Sequence, residues 1–304
     1  MSTSGVATLQ QEVVEARLEM KEGVGAKLRR FVKTSPIGAV AGVILVLLVL
    51  MAIFAEQVAP YFPLEADFRA LRYPPSPSHW LGTDNLGRDV LSRLIYGARL
   101  SLFVAGVSTV LSKIIGIAWG IATGYVGGVF DLISQRVIDV LLAFPGIILA
   151  MLLLAALGGG LGTVILAITI LGVAGTVRVI RSVVLAVKEM AYVEAARSIG
   201  VPSLRIMFRH VAPQCVAPAL VLFSASLGGA IFAEAALSFL GLGIPQPTPS
   251  WGNMLGGILA DQFRPKWWLV VFPGVTISLT VLAFNLVGDA LRDYLDPKLR
   301  GRLD

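Results

Sequence analysis

The sequence predicts an all-α, polytopic membrane protein with six transmembrane helices, on three observations. The 304-residue chain is 56% hydrophobic and only 14% charged, with a mean hydropathy of +0.81. A soluble chain carries roughly 25% charged residues, because polar groups must cover its surface. Six apolar runs, at 36–56, 100–124, 137–157, 161–179, 214–238 and 268–289, are each close to the roughly 20 residues that cross a bilayer. Finally, Lys and Arg fall mostly between and beside these runs. The net charge of +6 is therefore read as membrane topology and not as affinity for nucleic acid. Membrane lipid is the expected surrounding partner, and no nucleic acid is expected. A single cysteine, Cys215, excludes an internal disulfide, and with only two histidines the composition argues against a structural zinc site.

Residues 1–35 form a charged N-terminal arm. The first run begins after it, with Ser35 to cap a helix and Pro36 suited to its first turn. At 36–56 it has the length of a full span, longer than a signal core, and it is expected to stay as the first helix. An extracytoplasmic segment is expected at 57–99, too polar to span and rich in proline ("YPPSPSHWLGTDNLGRD"). Its Asp84, Asn85, Arg88 and Asp89 suit a hydrogen-bonded cap. That cap is either a contact for an outside protein or a gate, or else a brace between the first two spans.

The second run carries Gly116, Gly120 and Gly124, spaced by four, which puts small residues on one helix face for close packing. Lys113 in this run and Glu234 late in the fifth are ionisable groups inside spans. Such groups are costly there, and face either a cavity on a pathway or a partner. Pro145 and Pro273 are expected to kink or start helices. Trp251, Trp267 and Trp268 are interfacial aromatics, the last two expected at the membrane surface.

Orientation follows from the cations. With the N-terminus inside, the inner side holds Arg17, Lys21, Lys27, Arg29, Arg30 and Lys33 on the arm. It also holds Arg136, Arg178, Arg181, Lys188, Arg197, Arg205 and Arg209, then Arg292, Lys298, Arg300 and Arg302. The outer side holds only Arg69, Arg72, Arg88, Arg93, Arg99, Arg264 and Lys266. Both termini are expected in the cytoplasm, with a cytoplasmic tail at 293–304.

Residues 189–213, "EMAYVEAARSIGVPSLRIMFRHVAP", lie between the fourth and fifth runs, on the cytoplasmic side. Residues 189–199 read as a helix with Glu189 and Glu194 toward its start and Arg197 toward its end, as the helix dipole favours. Gly200 is a stop, and Pro202 starts a second short helix that ends near Pro213. Ala195, Ala196 and Gly200 strip bulk from the surface, and Glu194 supplies a charge. Such a pair of helices either receives a docked cytosolic protein or lies on the membrane surface.

At this point the residues resemble a known family. "EAARSIG" followed by "HVAP", with Glu194, Ala195, Ala196, Gly200, Ile206 and Pro213 in place, resembles the EAA loop of ABC importer permeases. Ala212 stands where that pattern often has Leu. Three further blocks, "LGTDNLGRDVLSRLIYGARLSL" (81–102), "EAALSFLGLGIPQPTPSWGNML" (234–255) and "WWLVVFPGVTISLTVLAFNLVGDALRDYLDPKLR" (267–300), resemble the C-type second permease subunit of dipeptide, oligopeptide and nickel importers. The likeness runs from about residue 25 to the C-terminus. "ITILGVAGTVRVIRSVVL" (168–185) departs from it, lacking the expected Trp and Tyr-Ala-Arg pattern while keeping Arg178 and Arg181.

The resemblance implies a type I ABC importer permease fold, its five-helix core at 100–292. It implies half of a translocation pore in a bacterial inner (cytoplasmic) membrane. The implied partners are a second permease in a heterodimer, two cytosolic ABC ATPases and an extracytoplasmic substrate-binding protein. The 189–213 loop would be the coupling element, through Glu194, Ala195, Ala196, Arg197, Gly200 and Arg205. The chain has no GxxxxGK[ST] loop, and "GGGLGTV" at 158–164 lacks the lysine. It is thus not expected to be an enzyme or to bind a cofactor or metal; ATP and Mg would sit on the ATPases. Di- and oligopeptides are the expected cargo, with nickel chelates and glutathione open. The rival reading is a stand-alone secondary transporter or channel that uses Lys113 and Glu234. An intramembrane enzyme lacks HExxH and GxSxG, and its only histidines, His79 and His210, fall on opposite sides.

Overall fold

The structure, a computed structural model, describes residues 34–259 and 266–295, together with Gly25 and Val32. The arm cations, Arg264 and the tail cations Lys298, Arg300 and Arg302 lie outside the described residues. The described residues are helical throughout, apart from loops and one isolated antiparallel bridge between Thr83 and Asp89. Among the described residues five helical stretches are long and apolar enough to cross a membrane, or six if one bent pair is counted as a span.

Helix α1, Pro36–Ile53, starts with Pro at its first turn, but the Ser35 side chain makes no capping bond; the expected cap is replaced by proline's preset backbone. A short α2, Ala55–Val58, follows. The end of α1 is held from outside. Arg99 donates to the carbonyls of Ala52 and Ile53 at 3.0 Å each, filling acceptors that a helix end leaves open.

Helix α3, Val90–Val126, has 37 residues, about 55 Å at the α-helical rise. The second span thus begins ten residues before the expected position. Its cap explains why: Asp89 accepts from the Ser92 amide at 2.8 Å and from the Ser92 hydroxyl at 2.7 Å, so the helix starts where its orphan donors are satisfied.

The third apolar run is expected as one helix at 137–157, and the structure breaks it: α4, Gly128–Ala143, and α5, Gly146–Leu157, are bent by 92° at their junction. Phe144 is extended and Pro145 leads α5, because the residue before a proline is driven out of the helical region. At 12 residues, α5 is about 18 Å long, short of the roughly 30 Å hydrocarbon core.

Helix α6, Leu161–Val187, packs along α3, and the small-residue stripe is the seam. A Cβ on Gly116 would stand 2.6 Å from Thr176 Cβ, one on Gly120 2.9 Å from Ile180 Cβ, and one on Gly124 2.9 Å from Val184 Cβ. The contacts advance by four residues on both helices together, so α3 and α6 run parallel and end on the same side. The glycines serve packing, as small residues do between membrane helices.

Next come α7, Ala191–Ser198, and α8, Ser203–Ile206. The expected break near Pro213 is absent. A π segment, Met207–Val211, and a 3-10 turn, Ala212–Cys215, carry α8 straight into α9, Val216–Phe239. Pro213 is tolerated because it sits in the first turn of the 3-10 piece.

Two more helices close the bundle, α10 at Trp251–Leu259 and α11 at Trp267–Leu295. Pro273 lies within α11, near its start. The Gly38 Cα of α1 is pressed against Ala290 of α11, while Trp268 Nε1 donates to the Thr83 carbonyl at 3.3 Å. The start of α11 therefore lies at the 59–89 loop, and its far part lies on the side of the α7–α8 hairpin, as does the start of α1. Trp268 is buried rather than at a membrane surface, whereas Trp267 is exposed.

Candidate functional site

The hairpin of α7 and α8 is a helix–turn–helix packed on its neighbours. α7 carries Glu194 in its first turn and Arg197 in its last, each on the side its charge prefers. It stops at Gly200 through a Schellman motif: the Gly200 amide donates to the Arg197 carbonyl at 3.0 Å, and the Val201 amide to the Ala196 carbonyl at 3.1 Å. This closure needs a left-handed residue, and Gly200 has φ +79°. A Cβ there would meet nothing within 4 Å. Backbone conformation, not bulk removal, is the reason for glycine within this chain. Val201 completes the motif by packing against the cluster that contains Ala196.

The two faces of the hairpin differ. Val193, Ala196, Ile206, Val211 and Cys215 are buried with Ile121 of α3 and Ile180, Val184 and Val187 of α6. Ala196 therefore packs inward and is not on the open face, contrary to the expectation. Glu194, Ala195, Arg197, Gly200 and Arg205 are exposed. With them stand Ile199, Leu204 and Phe208, 81%, 68% and 67% exposed. These three large apolar side chains escaped the sequence reading, which looked for small residues. Their signal was present: α7 is amphipathic, and Ile199 falls outside its buried register at 193 and 196. The hairpin offers a charged, partly apolar surface on a base packed against α6 and α9.

The 59–89 loop, with α3 starting at Val90 rather than near residue 100, is bonded to itself. Asp84 Oδ1 accepts from the amides of Leu86 and Arg88 at 2.9 and 3.0 Å, and Oδ2 from Arg88 Nε at 2.7 Å. Arg93 of α3 adds a contact to Asp84 at 3.5 Å. Asp89 holds the α3 cap and also meets His79 Nδ1 at 3.0 Å. Asp84, Arg88 and Asp89 are buried, and Asn85 is half-buried. This is brace geometry. Three of the four candidates have their polar atoms turned inward, so they shape the loop and present little to an outside partner.

The two intramembrane candidates are far apart and both partnered. Lys113 Nζ donates to Thr176 Oγ1 at 2.8 Å, across the α3–α6 seam. Glu234 is fully buried and accepts from Ser101 of α3 and from Ser238, each at 2.8 Å. Ser101 Oγ also accepts from the Trp251 amide at 3.3 Å, and Trp251 Nε1 donates to the Leu94 carbonyl at 3.0 Å. Gly97, facing Trp251 Cδ1, and Gly252, lying on the backbone of Ala235, let α10 sink between α3 and α9. The arrangement is a polar bracket that seats α10. Ser101 escaped the sequence reading and Trp251 was read only as an interfacial aromatic, because Ser101 lies 133 residues from Glu234 and 150 from Trp251, whereas Ser238 lies one turn from Glu234.

Among the described residues no group of His, Cys, Asp or Glu has the arrangement to hold a metal ion. The described residues provide an exposed hairpin face, closely packed helices and buried polar ties.

Known proteins resemble this chain over most of its length. The family described as binding-protein-dependent transport system inner membrane component matches residues 116–301, and the N-terminal TM domain of oligopeptide transport permease C matches residues 27–75. The chain is 41% identical over 273 residues to the glutathione transport system permease protein GsiD of Pectobacterium atrosepticum, covering 90% of each chain. It is 42% identical over 263 residues to the dipeptide transport system permease protein DppC of Bacillus subtilis, covering 86% of this chain and 82% of that one. It is 41% identical over 269 residues to the oligopeptide transport system permease protein OppC of the same organism, covering 88% of each.

Proposed function

The chain belongs to the binding-protein-dependent transport permeases, and from that premise we propose how it works, in which membrane, and on what. It is a multi-pass permease subunit of an ABC importer. We place it in a bacterial inner membrane with both termini in the cytoplasm. It pairs there with a second, different permease to form the pore. Two cytosolic ABC ATPases bind and hydrolyse ATP with Mg, and an extracytoplasmic binding protein delivers cargo. Small peptides are the proposed cargo, as dipeptide, oligopeptide and glutathione permeases stand among the relatives.

The carrying observation is the hairpin. Its inner face is welded to α6 and α9 by the cluster around Val193, Ala196 and Ile206, while its outer face bears Glu194, Ile199, Leu204 and Phe208. An ATPase that closes on ATP and grips this face displaces the ends of two spans at once. Packed helices move as bodies rather than deform, so the displacement becomes rocking between inward-open and outward-open states. Transport is driven because ATP-bound and ATP-free partners favour different states.

Lys113 and Glu234 are buried and hydrogen-bonded to hydroxyls of the packed helices, which supports reading them as ties between helices rather than as the coupling groups of a stand-alone carrier. The test is purification in mild detergent from the native membrane, with mass spectrometry of what accompanies the chain and an ATPase assay. A second permease and Walker-type ATPases are expected, with hydrolysis lost in Glu194→Lys. A chain that emerges alone and supports gradient-driven flux without ATP overturns the proposal.

A further inference from the structure

Helix α4 is attached to the bundle in an unusual way. Gly127 and Gly128, with φ +69° and +61°, join it to α3, and a Cβ on either would meet nothing within 4 Å. The pair therefore serves backbone rotation and not close packing. At the other end the chain turns by 92° at Pro145. Between these joints α4 buries only Ser134 and Ile138, a small apolar contact for 16 residues.

Charge supplies the rest of the attachment. Arg181 of α6 grips Asp131 with two parallel bonds, Nε to Oδ1 at 2.6 Å and a terminal nitrogen to Oδ2 at 2.5 Å. Arg178 meets Asp139 Oδ1 at 2.5 Å, and Arg136 lies 3.9 Å from its other oxygen. Asp131 and Asp139 are about two turns apart, on the face that carries Ser134 and Ile138. The first pair is the more sheltered, with side chains 29% and 14% exposed; the second is about half exposed. A bidentate, sheltered pair is the stronger and the less screened by salt. Beyond Arg181, α6 continues to Val187 and then, through three residues, into α7.

We propose that Asp131 and Arg181, backed by Asp139 and Arg178, make α4 move with α6, so that displacement of the hairpin swings α4 about the Gly127–Gly128 joint. These are positioning residues: they touch no cargo, and they carry motion from the docking surface to a helix that apolar packing barely holds. The inference rests on the reading that the hairpin receives the ATPase stroke.

The test uses the whole complex, purified with its partner subunits, in proteoliposomes supplied with the binding protein and a mixture of dipeptides. The quantity read is uptake per ATP hydrolysed. Asp131→Arg and Arg181→Asp are each expected to lower it about fivefold or more, and the double exchange to restore most of it. Gly127→Val with Gly128→Val is expected to lower it with the ion pair intact. A pair that serves only folding would change the yield of complex and not the ratio. Single variants that keep the parent ratio, or a double exchange no better than either single one, overturn the inference. A parent complex that hydrolyses ATP but takes up no dipeptide rejects the cargo class alone; stimulation of hydrolysis by the binding protein is then read across the same variants. A parent chain without ATPases rejects the docking reading and the inference with it.

Discussion

The Ser101 hydroxyl donates to Glu234 Oε2 at 2.8 Å, joining α3 to α9 across 133 positions of sequence. The same serine oxygen receives the Trp251 amide, so one carboxyl group and one hydroxyl seat α10. Removing the acceptor strands buried donors. Each unsatisfied buried group costs about 1–3 kcal/mol. Glu234→Ala is expected to lower the thermal midpoint of the detergent-purified chain, and Glu234→Gln, which keeps an acceptor and the volume, to lower it less. An unchanged midpoint with altered uptake in Glu234→Ala would move this residue from the bracket to the transport route.

Gly200 is held at φ +79° by the Schellman closure of α7. An L-residue with a Cβ pays about 1–2 kcal/mol in that conformation, and Asn pays less. Gly200→Ala is expected to loosen the turn and Gly200→Asn to loosen it mildly. Arg197 and Arg205 flank the turn and are exposed, so trypsin cleavage in membrane vesicles reads it. The expected order of cleavage rate is Ala, then Asn, then the parent. Equal rates would mean that the hairpin's shape does not depend on this closure.

How legible all this was depends on the range of the signal. The spans follow from hydropathy, which is local, and the Gly116, Gly120 and Gly124 stripe named its own face. The cap at Asp89 was readable in kind, yet α3 was placed ten residues late because polar Arg93 and Arg99 interrupt the apolar run. Arg93 is buried against Asp84 and the Pro63 carbonyl, and Arg99 reaches the end of α1. Those partners lie 9 to 47 residues away, and no hydropathy window sees them. The 92° break at Pro145 was foreseen as a kink or start, but apolarity on both sides hid that two helices share the run. In the hairpin, small residues drew attention to Ala196, which packs inward. The inner–outer division depends on where α6 and α9 stand, and that is tertiary information.

The α3–α6 seam can be tested by contrast. A Cβ on Gly120 would stand 2.9 Å from both Ile180 Cβ and the Val177 carbonyl oxygen, whereas one on Gly106 would meet nothing within 4 Å. Both glycines are in the same helix, so intrinsic helix propensity changes alike. Gly120→Val is expected to force the helices apart and to reduce the amount of folded chain in the membrane severely, since overpacking costs about 1–3 kcal/mol or more. Gly106→Val is expected to leave the level near the parent's. Equal levels would mean that the seam tolerates separation.

The hairpin's two faces give the sharpest test of docking. Ile199 and Phe208 are among the most exposed large apolar residues of the chain, whereas Ala196 is 8% exposed. If the hairpin face is a cytoplasmic docking surface, a charge placed at 199 or 208 stays in water in the isolated chain and is buried only when a partner covers it. Burying an unpaired carboxylate is strongly unfavourable. Ile199→Asp and Phe208→Asp are therefore expected to leave membrane levels of the chain unchanged and to remove the ATPases that co-purify with it. Ala196→Asp drives the charge into the cluster with Val193 and Ile206, so both the level and the ATPases should fall. ATPases retained at parental amount in Ile199→Asp and Phe208→Asp would shift the contact to the charged residues, with Glu194→Lys as the variant that then has to break it.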